Sequence, residues 1–382
     1  MSEEKIYTAA IVGCGRIGYS LGHDEKREQP ASHTMAFLEN PRISLIAGCD
    51  SDEEAIKQWH QENQKALTFT SSEEMYKKVK PEIICIAVNE ESHLKEAVAA
   101  IKTKPKLVIL EKPVALNMDQ AFEIKHAAEE NGIPIIVNHE RRFSEDYLLA
   151  KSYMAHIGTL QCIRATLCSS LAVYASSSEE TGAYSLLHDG THLADAILFF
   201  LEDLNNPSST MEILENPVQN NNAASKNDIL LNKPLTVDTT KKITVNTLLK
   251  RPVLTGIVRD ENGKIRQLCA HYSSHICPDV EFFISGRSKY FGFDIEIFGT
   301  EGKICIGNGY CKFYKTGESK LYSNLNSLVS DKNLKAPKKT LYFSNMVKNA
   351  VDFLDGRQSL KSTLQTGMNA LAILEEIKRK IK

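Results

Sequence analysis

An apolar segment, Tyr7-Thr8-Ala9-Ala10-Ile11-Val12, runs straight into Gly13-Cys14-Gly15-Arg16-Ile17-Gly18. Glycines at this spacing have separate tasks: a tight turn after a strand, close approach of backbone to a pyrophosphate, and close packing of helix on strand. Alone the spacing is a weak signal. Placed after the first strand of a β-α-β pattern, it commits the next hundred residues to a parallel sheet with covering helices.

The rest of the first 143 residues agrees. Short β-branched runs at 7–12, 43–49, 67–70, 82–88, 106–110 and 133–137 alternate with helical stretches, and several runs are apolar on both faces, as doubly covered strands are. Ser71-x-x-Glu74 reads as a capping box, Asn117 as a helix N-cap answered by Gly132, and 145–157 as a helix stopped by Gly158. Beyond Gly158 the period becomes two, at 161–169, 242–249, 253–258, 265–272, 280–284 and 293–298, which predicts an open, mainly antiparallel sheet. Helices are expected at 186–201, 341–354 and 363–381. The fold class is therefore α/β: an N-terminal Rossmann domain over 1–143, then an α+β domain over 144–382 for substrate binding and oligomerisation. Residues 216–233, rich in Asn without periodicity, read as a mobile insertion, and the helices of 341–382 are expected to pack back toward the first domain.

Composition excludes other classes. With 382 residues, 42% of them hydrophobic, the chain can bury large cores, and a net charge of -2 offers no field for a nucleic-acid backbone. No apolar run reaches the roughly 20 residues of a membrane span, and Met1-Ser2-Glu3-Glu4-Lys5 lacks the basic flank of a signal peptide. The nine cysteines are odd in number, and Cys14, Cys49 and Cys85 fall in or beside apolar strands, so free thiols in a reducing cytoplasm are expected. The partner is expected to be a small molecule, not a nucleic acid or a membrane.

Asp50 ends the second strand, where a carboxylate accepts the adenosine ribose hydroxyls and repels a 2′-phosphate. Ser51 and Asp52 add no basic group, so NAD is favoured over NADP, although Arg16 or Arg42 offers a partner for a 2′-phosphate. Asp50 lies further from the turn than the roughly 20 residues usual. The excess falls in 19–31, with His23, Asp24, Arg27 and Pro30, either a loop over the cleft or a solvated insertion.

Nearly the whole chain resembles the Gfo/Idh/MocA family of NAD(P)-dependent oxidoreductases, which includes glucose-fructose oxidoreductase and inositol dehydrogenases. Its anchors are the Gly13 turn, Ala87-Val88-Asn89 with His93, Glu111-Lys112-Pro113, Asn138 with Arg142-Phe143, the 182–195 segment, and Glu296-Ile297-Phe298-Gly299-Thr300-Glu301-Gly302. The resemblance implies a cofactor site of Gly13, Gly15, Arg16, Ile17, Gly18, Asp50, Val88, Asn89, His93, Glu111, Lys112 and Asn138. Lys112, beside a positively charged nicotinamide, is suited to exchange a proton with a substrate hydroxyl. The resemblance also makes His192 the general base, with Asp195 orienting its ring, and Lys112, Arg142, Asp189 and His192 the substrate site. Tyr174, Tyr184 and Arg164 are further candidate contacts.

One position departs from the family pattern. Four residues before the histidine, where an aspartate is usual, stands His188. On a continuous helix His188, His192 and Asp195 share one face, while Asp189 points about 100° away. Asp189 replaces the missing acid only if that turn is not yet helical; otherwise His188 enters the proton relay itself, as a third catalytic residue, or shifts the preferred substrate. Two imidazoles one turn apart also permit zinc, but the His-Glu-x-x-His form is lacking and no metal is expected. His271, His275 and Cys277 read as half-buried sheet residues.

The function implied is hydride transfer between nicotinamide and a secondary alcohol or ketone of a sugar, cyclitol or related polyol. The alternatives are an NAD-binding sensor without catalysis and a redox-neutral, NAD-dependent glycoside-cleaving enzyme. An uncovered apolar sheet face would favour a homo-oligomer, a dimer or tetramer.

Overall fold

A computed structural model describes residues 4–205 and 249–382. The expected insertion at 216–233 and the strand begun at 242 lie outside the described residues. Strands β1 (Tyr7–Val12), β2 (Ile43–Cys49), β3 (Leu67–Phe69), β4 (Ile83–Ile86), β5 (Leu107–Leu110) and β6 (Ile135–Val137) form one parallel sheet in the order β3-β2-β1-β4-β5-β6. Every residue of β4, β5 and β6 is buried, because helices cover both faces. Strand order reverses between β1 and β4, so a crevice opens at their carboxyl ends.

The helices between these strands are α1 (His33–Glu39), α2 (Glu53–Glu62), α3 (Ser72–Lys78), α4 (His93–Lys102) and α5 (Met118–Asn131). Asn117 accepts the Gln120 N–H, and Gly132, at φ 67°, ends α5 in a left-handed turn. The glycine turn itself does not open a long helix. Tyr19 and Leu21 N–H groups bond back to the Gly15 and Arg16 carbonyls, a 3-10 turn follows at Ser20–His23, and α1 begins only behind the Ser32 cap. Pro30, which has no N–H, lies in the interrupted stretch. That stretch is no free insertion: Leu21, Lys26, Arg27 and Glu28 border the crevice, and the Glu28 carboxylate accepts the N–H groups of Thr340 and Leu341.

Helix α6 (Glu145–Tyr153) is shorter than expected, because the chain tightens into a 3-10 turn at Met154–His156. The second sheet comprises β7 (Leu160–Cys168), β8 (Lys250–Arg259), β9 (Ile265–Ser273), β10 (Asp279–Ser285), β11 (Gly292–Gly299), β12 (Gly302–Gly307), β13 (Tyr310–Glu318) and β14 (Asn326–Ser330). Its order is β14-β13-β12-β11-β7-β10-β9-β8, antiparallel except where β7 meets β10. Ile163, Ala165, Phe282, Ile284, Ile295, Ile297, Ile304 and Ile306 fill one face. The other carries Arg164, Glu281, Glu296 and Lys303, paired across strands as Arg164 with Glu281 and Lys303 with Glu296. The alternation predicts one wet face, and these ion pairs lie on it.

Against the apolar face lie α7 (Ser185–His188) and α8 (Gly190–Leu201), expected as a single helix but interrupted at Asp189. There the His192 N–H bonds back three residues, to the Asp189 carbonyl. His188 therefore ends one helix and His192 belongs to the next. The last helices, α9 (Tyr342–Leu354) and α10 (Leu364–Ile381), contact the first domain. Phe343, Met346, Val347 and Val351 of α9 share a core with Tyr7, Ile11, Trp59, Ile83 and Ile109. In α10, Gly367 meets Val114 and Val137 so closely that a Cβ there would stand 2.6 Å from a methyl of Val114.

Candidate active site

A cleft of about 2180 Å³ runs from the carboxyl ends of the parallel sheet to the start of α8. It brings together Gly13, Gly15, Arg16, Ile17, Asp50, Val88, Asn89, Glu111 and Lys112 with His188, Asp189 and His192. At one end the glycines divide the work. Gly13 has φ +97°, and a Cβ on it would fall 2.5 Å from the Ala87 carbonyl group. A Cβ on Gly15 would meet nothing within 4 Å, so backbone is open to a ligand at that point. Gly18 packs on the Gly13 carbonyl and does not line the cleft.

The Asp50 carboxylate accepts N–H bonds from Cys14 at 2.8 Å and Asp52 at 3.0 Å. A carboxylate has about four acceptor positions, so two remain for ribose hydroxyls. Arg42 is no candidate for a 2′-phosphate: its guanidinium binds the Asp355 carboxylate at 3.0 Å, away from the cleft, whereas Arg16 lines it. The open backbone at Gly15 and the carboxylate at Asp50 fit a dinucleotide.

Behind the cleft wall lies a polar layer. Glu111 Oε1 accepts from Asn138 Nδ2 at 2.6 Å and lies 2.7 Å from His33 Nε2. Burial would raise the Glu111 carboxyl, but His33, Lys112 and Asn138 hold it below its ordinary range. His93 is fully buried, its ring nitrogens 2.6 Å from the Pro113 carbonyl and 3.1 Å from that of Val88, and burial lowers its pKa. Asn138 and His93, expected at the cofactor, instead brace the loops that would touch it. Neither lines the cleft.

At the far end Lys112 Nζ donates to the His188 carbonyl at 3.1 Å, joining the two domains. The His188 ring bonds through Nδ1 to Glu90, which follows β4. Burial raises the Glu90 carboxyl, yet the His188 ring and Lys112 bring it below its usual range. His192 is half-buried and neutral: burial, then Arg141 and Lys112, push its pKa well below the ordinary value. Its Nδ1 has no hydrogen-bond partner among the described residues, and His139, whose ring nitrogens make no hydrogen bond there and whose Nδ1 lies 3.8 Å from Asp195, stands edge-on with ring centres 6.2 Å apart.

Several expectations are corrected here. Asp195 does not orient His192; both its oxygens accept from Arg142 Nε, at 2.8 and 2.9 Å. Arg142, in turn, does not line the cleft. Only 1% exposed, it also donates to Glu202, and the two carboxylates more than offset the cost that burial sets on its charge. The cause is local: the 3-10 turn at Glu140–Phe143 separates successive side chains by about 120°. Arg141 therefore faces the cleft, over the Phe293 ring at 3.9 Å, and Arg142 faces inward. Tyr174 and Tyr184 are core residues packed edge to face, and Arg164 lies on the outer sheet face. His275 and Cys277 fall in the β9–β10 connection, not on a strand. His271 instead stands 3.4 Å from the Cys269 sulfur and 3.3 Å from Asp279.

Residues 7–139 match the Gfo/Idh/MocA family, described as an oxidoreductase family with an NAD-binding Rossmann fold. A 115-residue stretch is 26% identical to the 1-carboxy-3-chloro-3,4-dihydroxycyclohexa-1,5-diene dehydrogenase of Comamonas testosteroni, covering 30% of this chain and 29% of that relative. Over full lengths the likeness is one of fold. The WlbA dehydrogenase of Bordetella pertussis, in complex with NADH and UDP-GlcNAcA, superposes with a TM-score of 0.68 at 14% identity, over 100% of this chain and 96% of that one. Biliverdin reductase of Synechocystis, in complex with biliverdin and NADP+, gives 0.65 at 12% identity over 98% of each chain.

Glu90, Arg141 and His139 are not singled out by the sequence. Glu90 had a usable signal, since it lies two residues past Val88 at a strand's carboxyl end, where ligands bind in open α/β sheets. Arg141 and Arg142 are adjacent and alike, and only the turn distinguishes them.

Proposed function

We propose that the chain is a dehydrogenase that moves hydride between nicotinamide and a secondary alcohol or ketone of a sugar, cyclitol or related polyol, with NAD preferred over NADP. The observation that carries this reading is one cleft with the Gly13 turn and Asp50 at one end and Lys112, His188 and His192 at the other. A bound nicotinamide supplies the hydride acceptor. Asp50 is the natural ribose partner, with two acceptor positions uncommitted. Lys112 reaches in from the loop after β5 and can hold the reacting hydroxyl through a charge-assisted hydrogen bond. His192, neutral by virtue of its surroundings, is in the protonation state a general base requires.

The test is turnover on a panel of aldoses, inositols and nucleotide sugars with NAD or NADP, comparing the parent with Lys112→Met. The parent should reduce NAD with at least one polyol, more efficiently than NADP. The variant should lose on the order of 10²-fold or more in kcat while binding NAD normally. Equal turnover by parent and variant would remove lysine from the mechanism. NAD binding without reduction by any of the panel would favour a sensor, and product without net NADH a redox-neutral reaction.

A further inference from the structure

His188 occupies the position at which the family pattern has an acid, and the acid is present nonetheless, supplied by the other domain. We propose that Glu90 and His188 form a cross-domain positioning pair: Glu90 holds the imidazole as the Nδ1–H tautomer, so that Nε2 accepts a hydrogen bond from a substrate hydroxyl beside Lys112. The inference rests on the dehydrogenase reading and specifies how its substrate is gripped.

Four observations carry it. Glu90 and His188 both line the cleft, and their side chains bond through Nδ1. The carboxylate is held in its charged form, so it accepts and the ring nitrogen donates. In the neutral ring Nε2 is then the nitrogen without a proton, and it makes no hydrogen bond to the protein among the described residues. Finally, the main chain of the same residue receives Lys112 Nζ at 3.1 Å, so fixing His188 also fixes the lysine.

Packing limits the alternatives for Glu90. Gly182, at φ +72°, brings the second domain against it so tightly that a Cβ there would stand 3.2 Å from the Glu90 Cβ and 3.1 Å from Leu116. The resulting site differs chemically from one with a bare carboxylate. In its neutral form the imidazole accepts one hydrogen bond at Nε2 and carries no charge, so it suits a single neutral hydroxyl and gives no Coulomb attraction to an amine. The ligand class expected is a neutral polyol that bears a second hydroxyl near the reacting carbon. Glu90 is a positioning residue, since it acts through His188.

Two readouts test this. The first needs no substrate: 15N NMR of His188 at alkaline pH reports which ring nitrogen holds the proton. The parent should show protonated Nδ1 and bare Nε2, and Glu90→Gln, whose amide can donate as well as accept, should lose that bias. A parent ring protonated at Nε2, or a spectrum unmoved by Glu90→Gln, overturns the pair. The second uses the best polyol of the panel. Glu90→Gln should raise KM or lower kcat by about 10-fold or more with NAD affinity unchanged. Glu90→Gln/His188→Asp, which restores an acid at position 188 without a second carboxylate beside it, should outperform His188→Asp alone. Equal kinetics for Glu90→Gln and parent, or no advantage for the double variant, refutes the role. Should no polyol be oxidised, the dehydrogenase reading fails, and the tautomer measurement still decides the pairing.

Discussion

Glu111 is buried beneath the lysine that would meet substrate, and its charge is matched by His33 on α1. Each partner shifts the other. Burial opposes the charge on His33, but Cys85 and Glu111 overcome it and raise the imidazole from 6.5 to about 10; Glu111 moves below its ordinary 4.5. The carboxylate's contribution to stability is therefore present above its unfolded pKa and lost as pH falls through its lowered folded value. The imidazole's is complete below about 6.5 and is lost as pH rises toward about 10. Glu111→Gln removes one charge of a buried pair and should cost about 3 kcal/mol. Urea denaturation from pH 5 to 9 should show the largest difference from the parent at the acid end of that range, narrowing toward pH 9. A constant difference across that range would mean that His33 is not charged in the folded protein.

At the scale of elements, the glycine turn separates folding from binding. Gly13→Ala places a side chain at φ +97° and 2.5 Å from the Ala87 carbonyl. The strained backbone alone costs about 1–3 kcal/mol, and the clash adds to it. Gly15→Val meets open space, so it should change stability by within about 0.5 kcal/mol and yet abolish NAD binding, measured by calorimetry. A Gly15→Val protein that binds NAD as the parent does would move the pyrophosphate elsewhere. The same scale explains what the sequence revealed. Strands β4, β5 and β6 were legible because burial on both faces makes them uninterrupted apolar runs, and β1 is nearly so. Strands β2 and β3, toward the sheet edge, are part-exposed and were legible from their β-branched and apolar residues beside helix caps. Strands β12, β13 and β14 were not, because Gly302, Gly307, Gly309 and Gly317 dilute their alternation and β14 is a short, largely exposed strand at the sheet edge. The Gly13 turn, Asp50, Lys112 and His192 could be placed by motif and strand end. The bond of Glu90 to His188 spans 98 positions, and no periodicity reports a partner at that distance. Nor could spacing show that the helix expected over 186–201 would tighten at Asp189.

For the whole molecule, the important contact is the one α9 makes with the first sheet. Phe343 is 1% exposed in a core that α9 shares with the first domain. Phe343→Ala should cost about 3–5 kcal/mol, although the residue lies 200 positions downstream of the domain it stabilises. Unfolding should be followed by Trp59 fluorescence, because Trp59 is in the same core. The Trp59 transition should shift to lower denaturant with the loss of secondary structure. If the indole signal keeps its parental midpoint, α9 is not part of that core. The topology also bears on synthesis. A chain emerging from the ribosome completes its parallel sheet early, but Tyr7, whose hydroxyl donates to Asp355, and His33, whose ring packs on Phe343, lack those partners until the residues from Tyr342 onward have cleared the exit tunnel. At about 5–20 residues per second that delay is on the order of ten seconds or more. The domain made first is thus among the last to close, and a holding chaperone has that interval in which to act.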